Sequence, residues 1–161
     1  MKGFKDLYKN KKSSISSKKD YISENQIIDQ AIKFHIQGNI QKALELYENI
    51  LKRGSKDIRV LSNYGLILQN LGKLEDAEKN VRKAIKINSN FVDAYSLLGN
   101  ILRDLGKLEE AEKYYRQAIE LKPDFAIAHC NLGNLLRDLG NLKESESYCR
   151  KAIELKPDFA E

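Results

Sequence analysis

The chain has 161 residues, with 28 Lys and Arg against 23 Asp and Glu, and no Trp. No apolar run approaches the roughly 20 residues that a bilayer-spanning helix needs, which excludes a helical membrane span. Two cysteines are too few for a disulfide framework and point to reduced thiols in a cytoplasmic setting.

The net charge of +5 is concentrated at the start of the chain. Met1–Ile22 holds seven Lys and two Asp, whereas the remainder holds 21 basic and 21 acidic side chains. A Lys- and Ser-rich stretch of this kind buries too little apolar area to offset the entropy of ordering. Residues 1–23 therefore read as a flexible basic tail. Phe4, Leu7 and Tyr8 fall at helical spacing, so a short helix docked on the neighbouring part of the chain is an alternative. Contact of the tail with an anionic membrane or nucleic acid is another. The neutral remainder offers no basic face for specific nucleic-acid recognition. The lysines precede no apolar core of the kind a secretion signal carries.

From about Glu24 the chain repeats itself. Gly38, Gly72, Gly106 and Gly140 lie 34 residues apart. Leu98–Ala126 and Leu132–Ala160 agree at 22 of 29 positions. A period of this size marks a helix–turn–helix unit stacked into a solenoid. The units are 24–57, 58–91, 92–125 and 126–159.

Within each unit a first helix carries apolar residues at positions four, seven, eight and eleven, which share one face. In the third unit these are Tyr95, Leu98, Gly99 and Leu102. Gly65, Gly99 and Gly133, with Ala31 in the first unit, leave room for a close second helix. The glycines at 38, 72, 106 and 140 end the first helix, where positive φ costs other residues more. The second helix of the third unit buries Leu108, Ala111, Tyr115 and Ala118. Pro123 and Pro157 stop the second helices. Asp124 and Asp158 then stand as expected N-caps. Asp158–Glu161 reads as a capping box with no helix after it. That pattern would leave Ile153 and Leu155 partly uncovered, and the chain is expected to continue further or to self-associate through this open repeat.

These residues resemble the tetratricopeptide repeat family. The third unit matches the family pattern with Tyr95, Leu98, Gly99, Ala111, Tyr115, Ala118 and Pro123. The fourth matches with Leu132, Gly133, Ala152 and Pro157, and the first keeps Gly38, Ala43 and Tyr47. The second has Ser89 in place of Pro. The resemblance implies an all-α fold, a right-handed superhelical solenoid whose first helices line a concave groove. It implies protein or peptide partners. The wording Asn-Leu-Gly-Asn and Lys-Pro-Asp-Phe is also similar to the repeats of O-linked N-acetylglucosamine transferase-like bacterial proteins. From that comes an alternative expectation, an accessory repeat region of a glycosyl- or sulfotransferase-type enzyme.

On the family's architecture, the groove would be lined by Asn63 and Asn131 at position six and by Asn100 and Asn134 at position nine. Arg103 and Arg137 would follow at position twelve, with Tyr95 near the wall or in the core. Asn is a poor helix former. Its amide donates and accepts at once, so it can clasp a peptide backbone. The alternative is that these amides bridge neighbouring helices or face water. Arg103 and Arg137 are each followed by Asp, and pairing with Asp104 or Asp138 of an adjacent unit is the simplest expectation. The family's carboxylate clamp needs Lys at position five, where this chain has Ile28, Ser62, Ser96 and Cys130.

No chemistry of bond making is legible. His129 and Cys130 are neighbours on a helix and diverge by about 100°, so no metal site is expected. Cys149 occupies an aromatic core position as a small hydrophobe. Glu109, Glu110, Glu112, Glu144 and Glu146 read as a solvated outer face with Lys nearby. With no phosphate loop, nucleophile elbow or dinucleotide fingerprint, the chain is read as a non-enzymatic scaffold without cofactor.

Overall fold

The computed structural model describes residues 23–157. Residues 1–22 of the basic tail and the Asp158–Glu161 box lie outside them, and Ser23, read with the tail, belongs to the start of α1. The described residues form eight helices in chain order: α1 Glu24–Ile36, α2 Ile40–Lys52, α3 Ile58–Asn70, α4 Leu74–Ile87, α5 Val92–Asp104, α6 Leu108–Leu121, α7 Ala126–Asp138 and α8 Leu142–Leu155. Each packs on the next, and α5 also touches α3 and α7. The odd-numbered helices thus form one wall and the even-numbered helices the other. Among the described residues no helix is long and apolar enough to cross a membrane.

The helix ends follow from local chemistry. Ser23 and Gln26 form a reciprocal capping box at the start of α1. The Asp57 carboxylate caps α3, accepting from the Arg59 and Val60 amides. Hydrogen bonding from Arg59, chiefly its side chain, holds the Asp57 carboxyl below its usual range. Gly38, Gly72, Gly106 and Gly140 all have φ between 72° and 81°. Beyond Gly106, the Lys107 amide reaches back to the Leu102 carbonyl at 2.8 Å, closing a Schellman turn. Gly54 shares this backbone at φ 86°, although it stands outside the 34-residue series.

Asp124 does not cap α7. Phe125 takes that place without a side-chain cap, as Phe91 does before α5. The Phe125 amide donates to the Lys122 carbonyl at 3.0 Å, so Pro123 and Asp124 are the middle of a tight turn. Asp124 therefore lies one residue too early. Ser89 and Asn90 fill the same turn in the second unit, closed by Phe91 to Asn88 at 3.2 Å.

The two walls meet where one helix lacks a side chain. A methyl on Gly99 would overlap the Tyr115 ring, and one on Gly65 or Gly133 would come within 2.5 Å of Val81 Cγ2 or Cys149 Sγ. Tyr47, Leu98, Leu102, Tyr115 and Leu132 are fully buried around these contacts. Burial of each large apolar side chain contributes about 1.5–3 kcal/mol. His129 is also buried, its Nε2–H donating to the Pro123 carbonyl at 2.8 Å.

The outer wall is held in register by charge. Arg82 reaches Glu78 at 2.7 Å, Tyr114 Oη at 2.6 Å and Glu110 at 3.0 Å. Thirty-four residues later, Arg116 reaches Glu112, Tyr148 Oη and Glu144 at 2.8, 2.9 and 2.7 Å. Each guanidinium also lies over its tyrosine ring. Glu110, Glu112 and Glu144 are therefore ligands of interunit rungs, not merely solvated charge. Arg150 repeats the position but, among the described residues, holds only Glu146, and Ile153 beside it is 44% exposed.

Gly99→Ala is expected to cost about 1–3 kcal/mol by overpacking. Gly106→Ala, which meets nothing within 4 Å, should cost about 1–2 kcal/mol through backbone conformation alone. Urea unfolding of both, each alone and combined with Tyr115→Val, checks the distinction. Gly99→Ala should cost less in the Tyr115→Val background than in the parent chain, whereas the cost of Gly106→Ala should be unchanged.

Candidate functional site: a cleft on the inner wall

The inner wall holds a cleft of about 490 Å³ across α3, α5 and the start of α7. Arg59, Ser62, Asn63 and Leu66 line it from α3, and Asp93, Ser96, Leu97 and Asn100 from α5. Phe91, Phe125 and Ile127 complete it. The helical period explains the set, because 59, 62, 63 and 66 recur at three- and four-residue steps on one face. Addition of 34 gives 93, 96, 97 and 100. A larger hollow of about 720 Å³ lies on the outer face of α8 among charged side chains that include Arg150.

Asn63 and Asn100 are thus brought together, and Asn131 and Asn134 are not part of the cleft lining. The four amides have different employment. Asn63 has no side-chain partner among the described residues. Asn100 Oδ1 accepts from the Tyr115 hydroxyl at 2.7 Å, which leaves its Nδ2 donors for the cleft. Asn131 Nδ2 donates to Ser96 Oγ at 3.2 Å across the unit boundary. Asn134 Nδ2 lies 3.6 Å from Cys130 Sγ on its own helix. The series is therefore two open amides and two helix-bound ones.

Tyr95 packs its ring on Tyr114 of the outer wall, centroids 6.1 Å apart, and is outside the cleft lining. Arg103 and Arg137 lie nearer the other ends of their helices. Each pairs with the next residue of its own unit, Asp104 at 3.8 Å and Asp138 at 3.7 Å, not with an adjacent unit. The link between units is made instead by Gln69, whose amide donates to Asp104 at 2.6 Å. Phe91, Phe125 and Ile127 are not legible in the sequence as lining, since they belong to turns and a helix start whose direction the interunit packing sets. Ser62 and Ser96 are legible only as residues lacking a lysine.

The electrostatics of the cleft are lopsided. Arg59 lies against Asp57 at 2.8 Å and Asp29 at 3.4 Å. Asp93 is exposed and has no partner among the described residues. The lining thus combines five apolar side chains, two open amides and one free carboxylate. Among the described residues no group of three His, Cys, Asp or Glu could hold a metal.

Models of the tetratricopeptide repeat match residues 25–48, 58–91, 81–113 and 126–159, and a further model described as TPR repeat matches 99–140. The chain belongs to the tetratricopeptide repeat family. None of the curated proteins matches it by sequence. Its fold is similar to the crystal structure of MamA, at TM-score 0.76 and 21% identity over 88% of this chain and 82% of that one. It is similar to YrrB, described as a TPR protein with an unusual peptide-binding site, at 0.72 and 22% over 86% and 72%. The first TPR of Spaghetti (RPAP3), bound to the HSP90 peptide SRMEEVD, is similar at 0.68 and 26% over 73% and 93%.

Asn100→Ala should leave the buried Tyr115 hydroxyl without an acceptor and cost about 1–3 kcal/mol. Adding Tyr115→Phe should recover more than half of that loss in urea unfolding. An undiminished loss in the double variant would contradict the assignment.

Burial pushes the Tyr47 and Tyr115 phenols up to about 12. A raised acid loses its proton later in the folded chain than in the unfolded one. The stabilising contribution is thus complete below the ordinary value of about 10 and is lost as pH rises toward 12. Thermal unfolding across that window should fall more gently in Tyr47→Phe/Tyr115→Phe than in the parent chain.

Proposed function

We propose that this chain is a protein-interaction scaffold whose inner-wall cleft holds an extended peptide. The observation that carries the reading is the pairing of an unused amide, Asn63, with the free Nδ2 of Asn100 above an apolar floor of Leu66, Leu97 and Phe125. An amide can meet a peptide N–H and C=O together. The floor supplies the burial that such contacts lack, since each exposed hydrogen bond nets only about 0.5–1.5 kcal/mol. The likeness to repeat proteins described with peptide sites supports the same reading. Position five lacks lysine, so a carboxylate-terminated peptide such as SRMEEVD has no cationic clamp here. The occupant is expected to be held along its backbone.

Selection of an extended peptide from a displayed library, followed by fluorescence anisotropy, tests this. Leu97→Glu should raise Kd at least tenfold, and Asn63→Ala about three- to tenfold. Outer-wall Glu109→Ala should change it less than twofold. Retained affinity in Leu97→Glu, with helicity intact by circular dichroism, would rule the cleft out.

A further inference from the structure

The described chain begins at the rim of this cleft. Ser23 caps α1, and two residues later Asn25 Oδ1 accepts from the Arg59 guanidinium at 3.4 Å. Arg59 is itself part of the cleft lining. Fourteen residues lie between Tyr8 and Ser23, and the span reaches at most roughly 50 Å when extended. Neighbouring helices of the inner wall stand about 10 Å apart, so the whole cleft is within range.

The chemistry of the two parts also fits. In the first nine residues Lys2, Lys5 and Lys9 alternate with Phe4, Leu7 and Tyr8. The cleft offers Leu66, Leu97, Phe125 and Ile127 for the apolar members. Its one cation is already tied to Asp57 and Asp29, while the Asp93 carboxylate is open. Net positive charge is confined to Met1–Ile22, and the rest of the chain is balanced.

We propose that the segment Lys2–Lys9 of the same chain seats in the inner-wall cleft, its apolar side chains on the Leu66–Leu97–Phe125 floor and a lysine on Asp93. This rests on the reading of the cleft as a peptide site. It adds that the site is occupied in cis before any partner arrives. Tethering at this distance gives the segment an effective concentration in the millimolar range. Even a weak contact is then populated, and an incoming peptide must displace it. The segment so acts as a built-in competitor that sets the apparent affinity.

The test uses the full chain with Phe4→p-benzoylphenylalanine, irradiated and mapped by mass spectrometry. Cross-links are expected to Arg59–Leu66, Phe91–Asn100 and Phe125–Ile127 within one molecule, as judged by mixing 15N-labelled and unlabelled chains. Asp93→Lys should cut their yield at least fivefold, and adding Lys5→Glu/Lys9→Glu should restore it. Links confined to α4, α6 or α8, links between chains, or no link to the cleft would overturn the proposal. In a second arm, Phe4→Ala/Leu7→Ala/Tyr8→Ala should bind the library-selected peptide about tenfold more tightly than the parent chain, and equal affinity would also overturn it. If that peptide binds in a Leu97-dependent way while Phe4 cross-links elsewhere, only the cis occupant is wrong. If neither engages the cleft, the peptide-site reading falls as well.

Discussion

The close contact between Gly99 and the Tyr115 ring, with its counterparts at Gly65 and Gly133, is the constraint on which the architecture depends. A first helix without a Cβ at position eight lets the second helix settle within side-chain distance. The bulky or sulfur-bearing residue opposite then fills the space. Because the contact recurs every 34 residues from the second unit on, those three hairpins approach in the same way, and in the first unit Ala31 takes the place of the glycine. Close packing tolerates little change in volume at such points. Positions six and nine of successive units can line one wall only because this contact repeats.

The two walls divide the work. On the outer wall, Arg82 and Arg116 each engage a glutamate of their own unit and a glutamate and a tyrosine of the following one. On the inner wall, the floor of the cleft is apolar and several polar groups are left open. The shared rungs fix register, and on the inner wall the amide of Asn63 and the carboxylate of Asp93 are left without a partner among the described residues. The buried tyrosines show the cost of sharing these duties. Asn100 accepts from Tyr115 with its oxygen and lines the cleft with its nitrogen unengaged. In the first unit Ile32 stands at the position of Asn100, and the buried Tyr47 hydroxyl has no partner among the described residues.

Much of this architecture is legible in the residues. Positive φ at Gly106 follows from a glycine that ends an apolar-periodic segment, and the buried face of Tyr115 and Ala118 follows from helical spacing. The family resemblance supplies which helix lies inside. Local pattern misleads where a residue's role depends on something distant in sequence. Asp124 has the chemistry of a cap, but the turn closed by Lys122 and Phe125 passes the position to the next residue. Asn63 and Asn131 occupy the same place in their units, yet only Asn131 finds a serine across the boundary. Arg103 sits beside its aspartate in sequence and pairs there, while Gln69 makes the contact between units. Local pattern fixes the elements, and the neighbour across the stack decides what each exposed polar group does.

The central claim is that ligand meets the inner wall over α3 and α5. Amide and methyl chemical-shift mapping of the full chain, titrated with a library-selected extended peptide, tests it most directly. The account predicts saturable shifts at the side-chain amides of Asn63 and Asn100 and the methyls of Leu66 and Leu97, with α4, α6 and α8 quiet. Shifts concentrated on the outer helices around Arg116 and Arg150, with those inner signals unmoved, would contradict it.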